Sequence, residues 1–296
     1  MAPIARSLSV RELFNEFLED VARRVERGER SQSTYDGYRR FLKPAAKVLG
    51  ARRPEEVRPI DVQRWAEAPS LSWNATTRFN AITAVKAAFS WGRKAGLLRT
   101  NPIERMERPT PLRRELVPTE DEVRALIAGA GDQPFRDLLM ALWETGCRPH
   151  EVLTLEADRV DLDAMVWLVL NKTRGKTGVR DRRVPINDRV AEIRRRLCTQ
   201  WPTGPIFRNW GGNPRTRHAI AWRFKRLRDG IGPSPGVTSY GLRNLFGKAS
   251  LKAGNTSSET AALMGHRDAR MVDPVYGHWD DHDEIVRKAA RRVRIA

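Results

Sequence analysis

Apolar residues recur at three- and four-residue intervals through the first hundred positions. Leu13, Phe14, Phe17, Leu18 and Val21 share one helical face behind Ser9, whose hydroxyl suits an N-cap. A second stripe runs through Tyr35, Tyr38, Phe41, Leu42, Ala45, Val48 and Leu49 and stops at Gly50. Pro59 suits the first turn of a short third helix that reaches Trp65. A fourth segment, from about Ala75 to Lys94, places Phe79, Ile82, Val85, Ala88 and Phe89 at helical spacing before Gly96. The pattern predicts a small helical bundle.

The periodicity then breaks. Pro102, Pro109, Pro111 and Pro118 fall in a charged stretch with few apolar residues, the signature of a linker. The expected organisation is a helical unit over 1–106, a linker over 107–116 and a second domain over 117–296. Thr119 followed three residues later by Glu122 forms a capping box, which predicts a helix carrying Val123, Leu126 and Ile127. Leu138, Leu139, Ala141 and Leu142 predict another, ending at Gly146. Two β-rich runs follow, Met165–Leu170 and Val179–Ile186, around a polar, glycine-containing segment that reads as a long basic hairpin loop. Helical patterns resume from Asn187, with breaks at 201–205, 211–214 and 230–236. The expected fold class is mainly α with a small β-sheet in the C-terminal half.

Charge narrows the choice of partner. The chain of 296 residues carries 54 Lys+Arg against 36 Asp+Glu, a formal net charge of +18, spread over both halves. Such a balance favours a polyanion. No apolar run approaches the roughly 18 residues that a membrane span needs, and the N-terminus lacks an apolar signal core. Nucleic acid is therefore the expected partner and no membrane role is expected. The two cysteines, Cys147 and Cys198, have no metal-ligand or disulfide spacing, which fits a reducing cytoplasm.

Five features of the second domain carry candidate chemistry. Arg148 and Glu151, in TGCRPHE, are three residues apart at a helix start, a setting suited to an anion. Lys172 and Lys176 lie in the hairpin loop, where a lysine can swing in and deliver a proton. Tyr240 and Arg243, in SYGLRN, are also three apart, so a phenol and a guanidinium could both donate to a phosphate. His266 follows Gly265 at the end of a helical run. Tyr276 lies ten residues further on, in VYGH. Each feature alone reads more readily as a surface ion pair, a solvated turn, an exposed helix start or a packing residue.

Taken together in this order, they resemble the active-site signature of the tyrosine recombinase (phage integrase) family. TGCRPHE resembles that family's first arginine motif, SYGLRN its H-x-L-R-H motif, and LMGH with VYGH its closing Gly-His and nucleophilic tyrosine. The stretch from Thr76 to Phe89, followed by Gly96 and Asn101-Pro102, resembles the family's core-binding domain. There are two departures within the second arginine motif. Tyr240 stands where the family usually has His, and a phenol with a pKa of about 10 is a poor base at neutral pH. Asn244 stands at the motif's second His. The gap from His266 to Tyr276 is one residue longer than the family's commonest spacing.

The resemblance implies strand cleavage and rejoining with neither metal, ATP nor another cofactor. Tyr276 would attack a DNA phosphodiester and take the 3′ phosphate. Arg148 and Arg243 would hold the non-bridging oxygens, Tyr240 and His266 would add hydrogen bonds, and Glu151 would orient the arginines. Lys176, rather than Lys172, would protonate the 5′ leaving oxygen. The implied partners are double-stranded recombination sites and further copies of the chain in a tetrameric synapse, with accessory DNA-bending proteins as candidates. The two domains would clamp the duplex, and no separate arm-site-binding module is expected. The apolar stripe from Ile285 to Val293 could pack on a neighbouring protomer or on its own domain. A non-catalytic DNA-binding protein and a type IB topoisomerase share enough of this scaffold to be the alternatives.

Overall fold

The structure, a computed structural model, describes residues 8–111, 117–161, 163–169, 181–231, 237–266, 268–269 and 272. The chain divides into two compact units, Met1–Arg114 and Glu115–Ala296.

The first unit is a helical bundle of α1 (Val10–Glu26), α2 (Gln32–Leu49), α3 (Pro59–Ala66) and α4 (Ala75–Lys94). Ser9 and Glu12 cap α1 reciprocally. The end of α2 also serves the start of α1, because Val10 and Arg11 donate their backbone N–H groups to the carbonyls of Arg52 and Gly50. Gly50 therefore ends α2 with right-handed backbone (φ −63°) rather than the left-handed cap its position suggests. The core combines Leu13, Phe14 and Phe17 with Leu42, Ala45, Val85 and Phe89. Val48, expected on the buried face, is 60% exposed. The stripe that packs runs through Phe41, Leu42, Ala45 and Leu49, and Val48 lies one position off it.

The second unit contains α5 (Glu120–Ala128), α6 (Gln133–Thr145), α7 (Pro149–Leu153), β1 (Val160–Asp161), β2 (Val166–Val169), β3 (Arg182–Pro185), α8 (Asp188–Gln200), α9 (Arg217–Ile231), α10 (Ser239–Lys252) and α11 (Ser257–Met264). The strands form an antiparallel sheet in the order β1-β2-β3, with Trp167 opposite Val184 across the β2–β3 pair. β1 is two residues long, too short to leave a period-two pattern in the sequence. The hairpin loop, with Lys172 and Lys176, lies outside the described residues, as do Tyr276 and the apolar stripe beyond 280. Among the described residues no helix is long and apolar enough to cross a membrane.

Helix α6 is the axis of this unit. Phe135, Leu138, Leu139 and Leu142 are fully buried, and Phe135 meets Phe224 of α9 edge to face. Asp132 caps its start, accepting the Phe135 N–H at 2.8 Å, and is gripped in turn by Arg215 and Arg223. Burial pushes the Asp132 carboxyl up, but the Arg223 and Phe135 hydrogen bonds and the two charges hold it below its ordinary value. The other end turns sharply at Gly146, in the left-handed region at φ +57°. A Cβ there would stand 2.2 Å from the Phe246 ring of α10. The close approach of α6 to α10 thus requires glycine twice over, for conformation and for space.

Gly146→Ala should therefore destabilise the protein by about 2–4 kcal/mol, the sum of left-handed strain and overpacking. Chemical denaturation of both variants measures it, and an unchanged midpoint would contradict the close approach.

Candidate active site

The chain reverses at Gly146 and begins α7 three residues later. Arg148 is the N-cap of that helix, and Glu151 is its third residue. Glu151 is buried and accepts from Arg148 twice, from the backbone N–H at 2.8 Å and from Nη1 at 2.9 Å. Arg148 and Glu151 thus pair at i,i+3, and the carboxylate, taking both the backbone N–H and Nη1 of Arg148, fixes the guanidinium at the helix start. The other Arg148 nitrogen, Nη2, donates to the carbonyl of Gly265 at 3.1 Å.

Arg243 comes from the second turn of α10 and is 3% exposed. Its Nη1 donates to the carbonyl of Gly146 at 2.5 Å, and its Nη2 donates to the carbonyl of Met264 at 2.8 Å. Nη2 also lies 2.7 Å from Nε2 of His266. Burial, then the neighbouring Arg148 and Arg182 charges, lower its pKa to about 10, so it stays charged at neutral pH.

Helix α11 ends in a Schellman motif. Gly265 is left-handed at φ +66°, His266 donates its backbone N–H to Ala261, and Gly265 donates to Ala262. That leaves the next three carbonyls, at 263, 264 and 265, beyond the helix's own donors. Each accepts from a different arginine. Arg182 of β3 takes Leu263 at 2.5 Å, Arg243 takes Met264, and Arg148 takes Gly265. A helix C-terminus carries partial negative charge, which favours this arrangement.

His266 thus faces the cluster with its backbone already bound. A guanidinium only donates, so Nε2 must accept from Arg243, and the ring proton of the neutral imidazole belongs on Nδ1. Nδ1 is buried and has no hydrogen-bond partner among the described residues. Burial, followed by the charges of Arg243, Arg148 and Arg182, lowers the His266 pKa to about 4. The bonding geometry and the electrostatics therefore agree on a neutral ring at pH 7.

Of the residues singled out in the sequence, Arg148, Glu151, Arg243 and His266 come together. Tyr240 does not join their hydrogen-bonded cluster. It lies on the first turn of α10, 53% exposed, and lines a cleft with Pro149, Leu153 and Arg217. Arg243, one turn further on, is buried, so the phenol and the guanidinium do not present a joint surface. The sequence reading missed Arg182, which donates to Glu151 Oε2 at 2.7 Å as well as to Leu263. Its one signal was alternation, since it shares a strand face with buried Val184. Among the described residues no three His, Cys, Asp or Glu side chains converge so that they could hold a metal ion.

The model of the phage integrase family matches residues 117–283. The chain is similar to tyrosine recombinase XerC of Xylella fastidiosa, with 28% identity over 268 residues, 86% of this chain and 89% of that one. It is equally similar to tyrosine recombinase XerD of Mycobacterium tuberculosis, with 28% identity over 287 residues and 86% of each chain. Among solved structures, the Tn1549 transposon integrase in complex with circular intermediate DNA superposes with a TM-score of 0.76 at 20% identity, over 97% of this chain and 100% of that one. A lambda integrase tetramer bound to a Holliday junction gives 0.76 at 16% identity, over 93% and 80%.

In an NMR pH titration of the free protein, His266 should remain neutral down to about pH 4. Arg243→Gln should move its midpoint upward by removing the nearest positive charge. Because the folded pKa lies below the ordinary 6.5, the unfolded chain binds this proton first. Stability should therefore fall as the pH drops from 6.5 towards 4, and His266→Gln should lose that part of the fall.

Proposed function

The chain belongs to the phage integrase family, and from that membership and the arginine cluster we propose that it is a site-specific DNA recombinase acting through a 3′-phosphotyrosine intermediate. The observation that carries the reading is the convergence of Arg148, Arg243 and His266 around one helix terminus. The two guanidinium groups and the half-buried imidazole form a preorganised, partly desolvated donor set for a single tetrahedral anion.

Tyr276 attacks the scissile phosphorus, forming the Tyr Oη–P bond and breaking the P–O5′ bond. Negative charge gathers on the non-bridging oxygens. Arg148 and Arg243 exchange carbonyl partners for these oxygens, and the Nδ1–H of His266 is a further donor. Lys176 gives its proton to the 5′ oxygen as it leaves. The broken bond's energy stays in the phosphotyrosine, so a 5′ hydroxyl can reverse the step and rejoin either the same strand or a partner strand. Neither metal nor ATP enters.

Tyr240 replaces an imidazole by a group that donates but takes up no proton near pH 7. With its ring exposed beside Arg217, it contacts the DNA backbone next to the reacting phosphate. Proton removal from Tyr276 falls instead to water or to His266, whose neutral Nε2 is freed when Arg243 turns to the phosphate. Both units engage duplex DNA, and synapsis of two sites recruits further copies of the chain. That assembly is drawn by analogy with the lambda integrase tetramer on a Holliday junction.

An SDS-resistant adduct assay on nicked duplexes tests this reading, using a set that tiles the DNA flanking the gene. The wild-type chain should form the adduct and Tyr276→Phe should not. An adduct in both would move the nucleophile elsewhere. Tight, salt-sensitive binding with no adduct on any duplex would instead make the protein a non-catalytic DNA binder. Arg148→Lys should cleave about 10²-fold more slowly with near-normal DNA affinity, because an ammonium cannot serve Glu151 and the phosphate together. Single-turnover kinetics on the nicked substrate measures this.

A further inference from the structure

Arg182 lies where no sequence motif called attention to it. It begins β3, and its guanidinium reaches two elements that contribute to the donor set. Nη1 donates to Glu151 Oε2, the same oxygen that accepts the Arg148 backbone N–H. Nη2 donates to the Leu263 carbonyl in the last turn of α11. Nε is buried with no partner among the described residues. The side chain is 15% exposed, half the value for Arg148.

The surroundings are shaped to this guanidinium. A Cβ on Gly265 would stand 2.2 Å from its Nε and under 3 Å from Cδ and Cζ. Gly265 thus does two things: it adopts the left-handed turn that carries His266, and it leaves room for Arg182 beneath that turn. Burial alone would push the Glu151 carboxyl up. The Arg182 charge comes first among the influences that hold it below its ordinary value, ahead of the bonds from Arg148.

We propose that Arg182 is a positioning residue for the phosphate-binding arginines, tying Glu151 to the C-terminal turn of α11. It fixes Arg148 through the shared carboxylate, and it fixes Arg243 and His266 through the carbonyl turn. It also shares the charge of Glu151, which would otherwise draw Arg148 into a simple ion pair and away from a phosphate. With its two terminal nitrogens on Glu151 and Leu263 and its Nε buried, Arg182 does not itself touch the phosphate. The proposal rests on the recombinase reading above.

The test is single-turnover cleavage by the full chain on whichever nicked duplex gives the wild-type adduct, with DNA affinity measured in parallel. Arg182→Met should slow cleavage about 10²-fold, as loss of a supporting partner typically does, and shift the DNA dissociation constant by less than about threefold. Arg182→Lys keeps the charge and one of the two bonds, and should recover about tenfold of the loss. Gly265→Ala drives a methyl group into the guanidinium and should mimic Arg182→Met. The double variant should be no slower than the worse single variant, because both disturb one unit. Should Arg182→Met not fold by circular dichroism, the Arg182→Lys rate and the Gly265→Ala rate decide.

Arg182→Met cleaving within about twofold of wild type, while the adduct still requires Tyr276, overturns the proposal and leaves the recombinase reading intact. Arg182→Lys as slow as Arg182→Met, or folded Arg182→Lys and Gly265→Ala both at the wild-type rate, also overturns it. A wild-type chain that forms no adduct on any duplex of the tiling set overturns the reading, and the proposal falls with it.

Discussion

Three consecutive backbone carbonyls at the end of one short helix organise the arginine cluster of the second unit. A helix must leave its last carbonyls without intrahelical donors, and the Schellman turn at Gly265 claims only two of those in α11. The last two, of Leu263 and Met264, and that of Gly265 just beyond meet guanidinium groups from three other elements: the start of β3, the second turn of α10 and the start of α7. Neutral acceptors thereby hold positive groups close together without cancelling their charge. Carboxylates would have done so at the cost of the anion-binding capacity. Among the described residues Glu151 is the one carboxylate that these guanidinium groups meet, and it is shared between two of the arginines.

That constraint explains the glycines around it. Gly146 and Gly265 both adopt left-handed backbone, and each sits where a side chain would strike something essential, the Phe246 ring in one case and the Arg182 guanidinium in the other. Both also offer a carbonyl to an arginine, Gly146 to Arg243 and Gly265 to Arg148. The turn residues help to build the arginine cluster, and helix termination and assembly of the cluster are one event.

Much of this was legible in the sequence, for identifiable reasons. Helices with caps and clean periodicity, such as the one Thr119 and Glu122 begin, announce themselves because local hydrogen bonds and a core-facing stripe act together. Arg148, Glu151, Arg243 and His266 could be singled out because their order and spacing resemble a family's signature. Other features leave no comparable trace. The carbonyl cradle is made of backbone, which has no identity in a sequence. Arg182 looked like one more arginine of a basic hairpin, because inward orientation at a strand's end is a tertiary fact. Val48 followed the stripe by spacing yet faces outward, since a helix packs along one line and not over every apolar position near it. Tyr240 and Arg243 are three residues apart on α10, but burial takes the guanidinium inward and leaves the phenol outside.

The arginine–carbonyl contacts also bear on how the protein is made. Arg148 and Gly265 are 117 positions apart, Arg243 and Gly146 97, and Arg182 and Leu263 81. Closing loops of that size is slow, and contacts of such long range form late. On the ribosome, Arg148 and Arg182 leave the exit tunnel well before the turn that will hold them has been synthesised. During that interval they have Glu151 but not their carbonyl partners, on a nascent chain surrounded by nucleic acid. The donor set becomes a defined site only when α11 closes over it. An emerging chain is therefore sticky towards polyanions before it is selective among them.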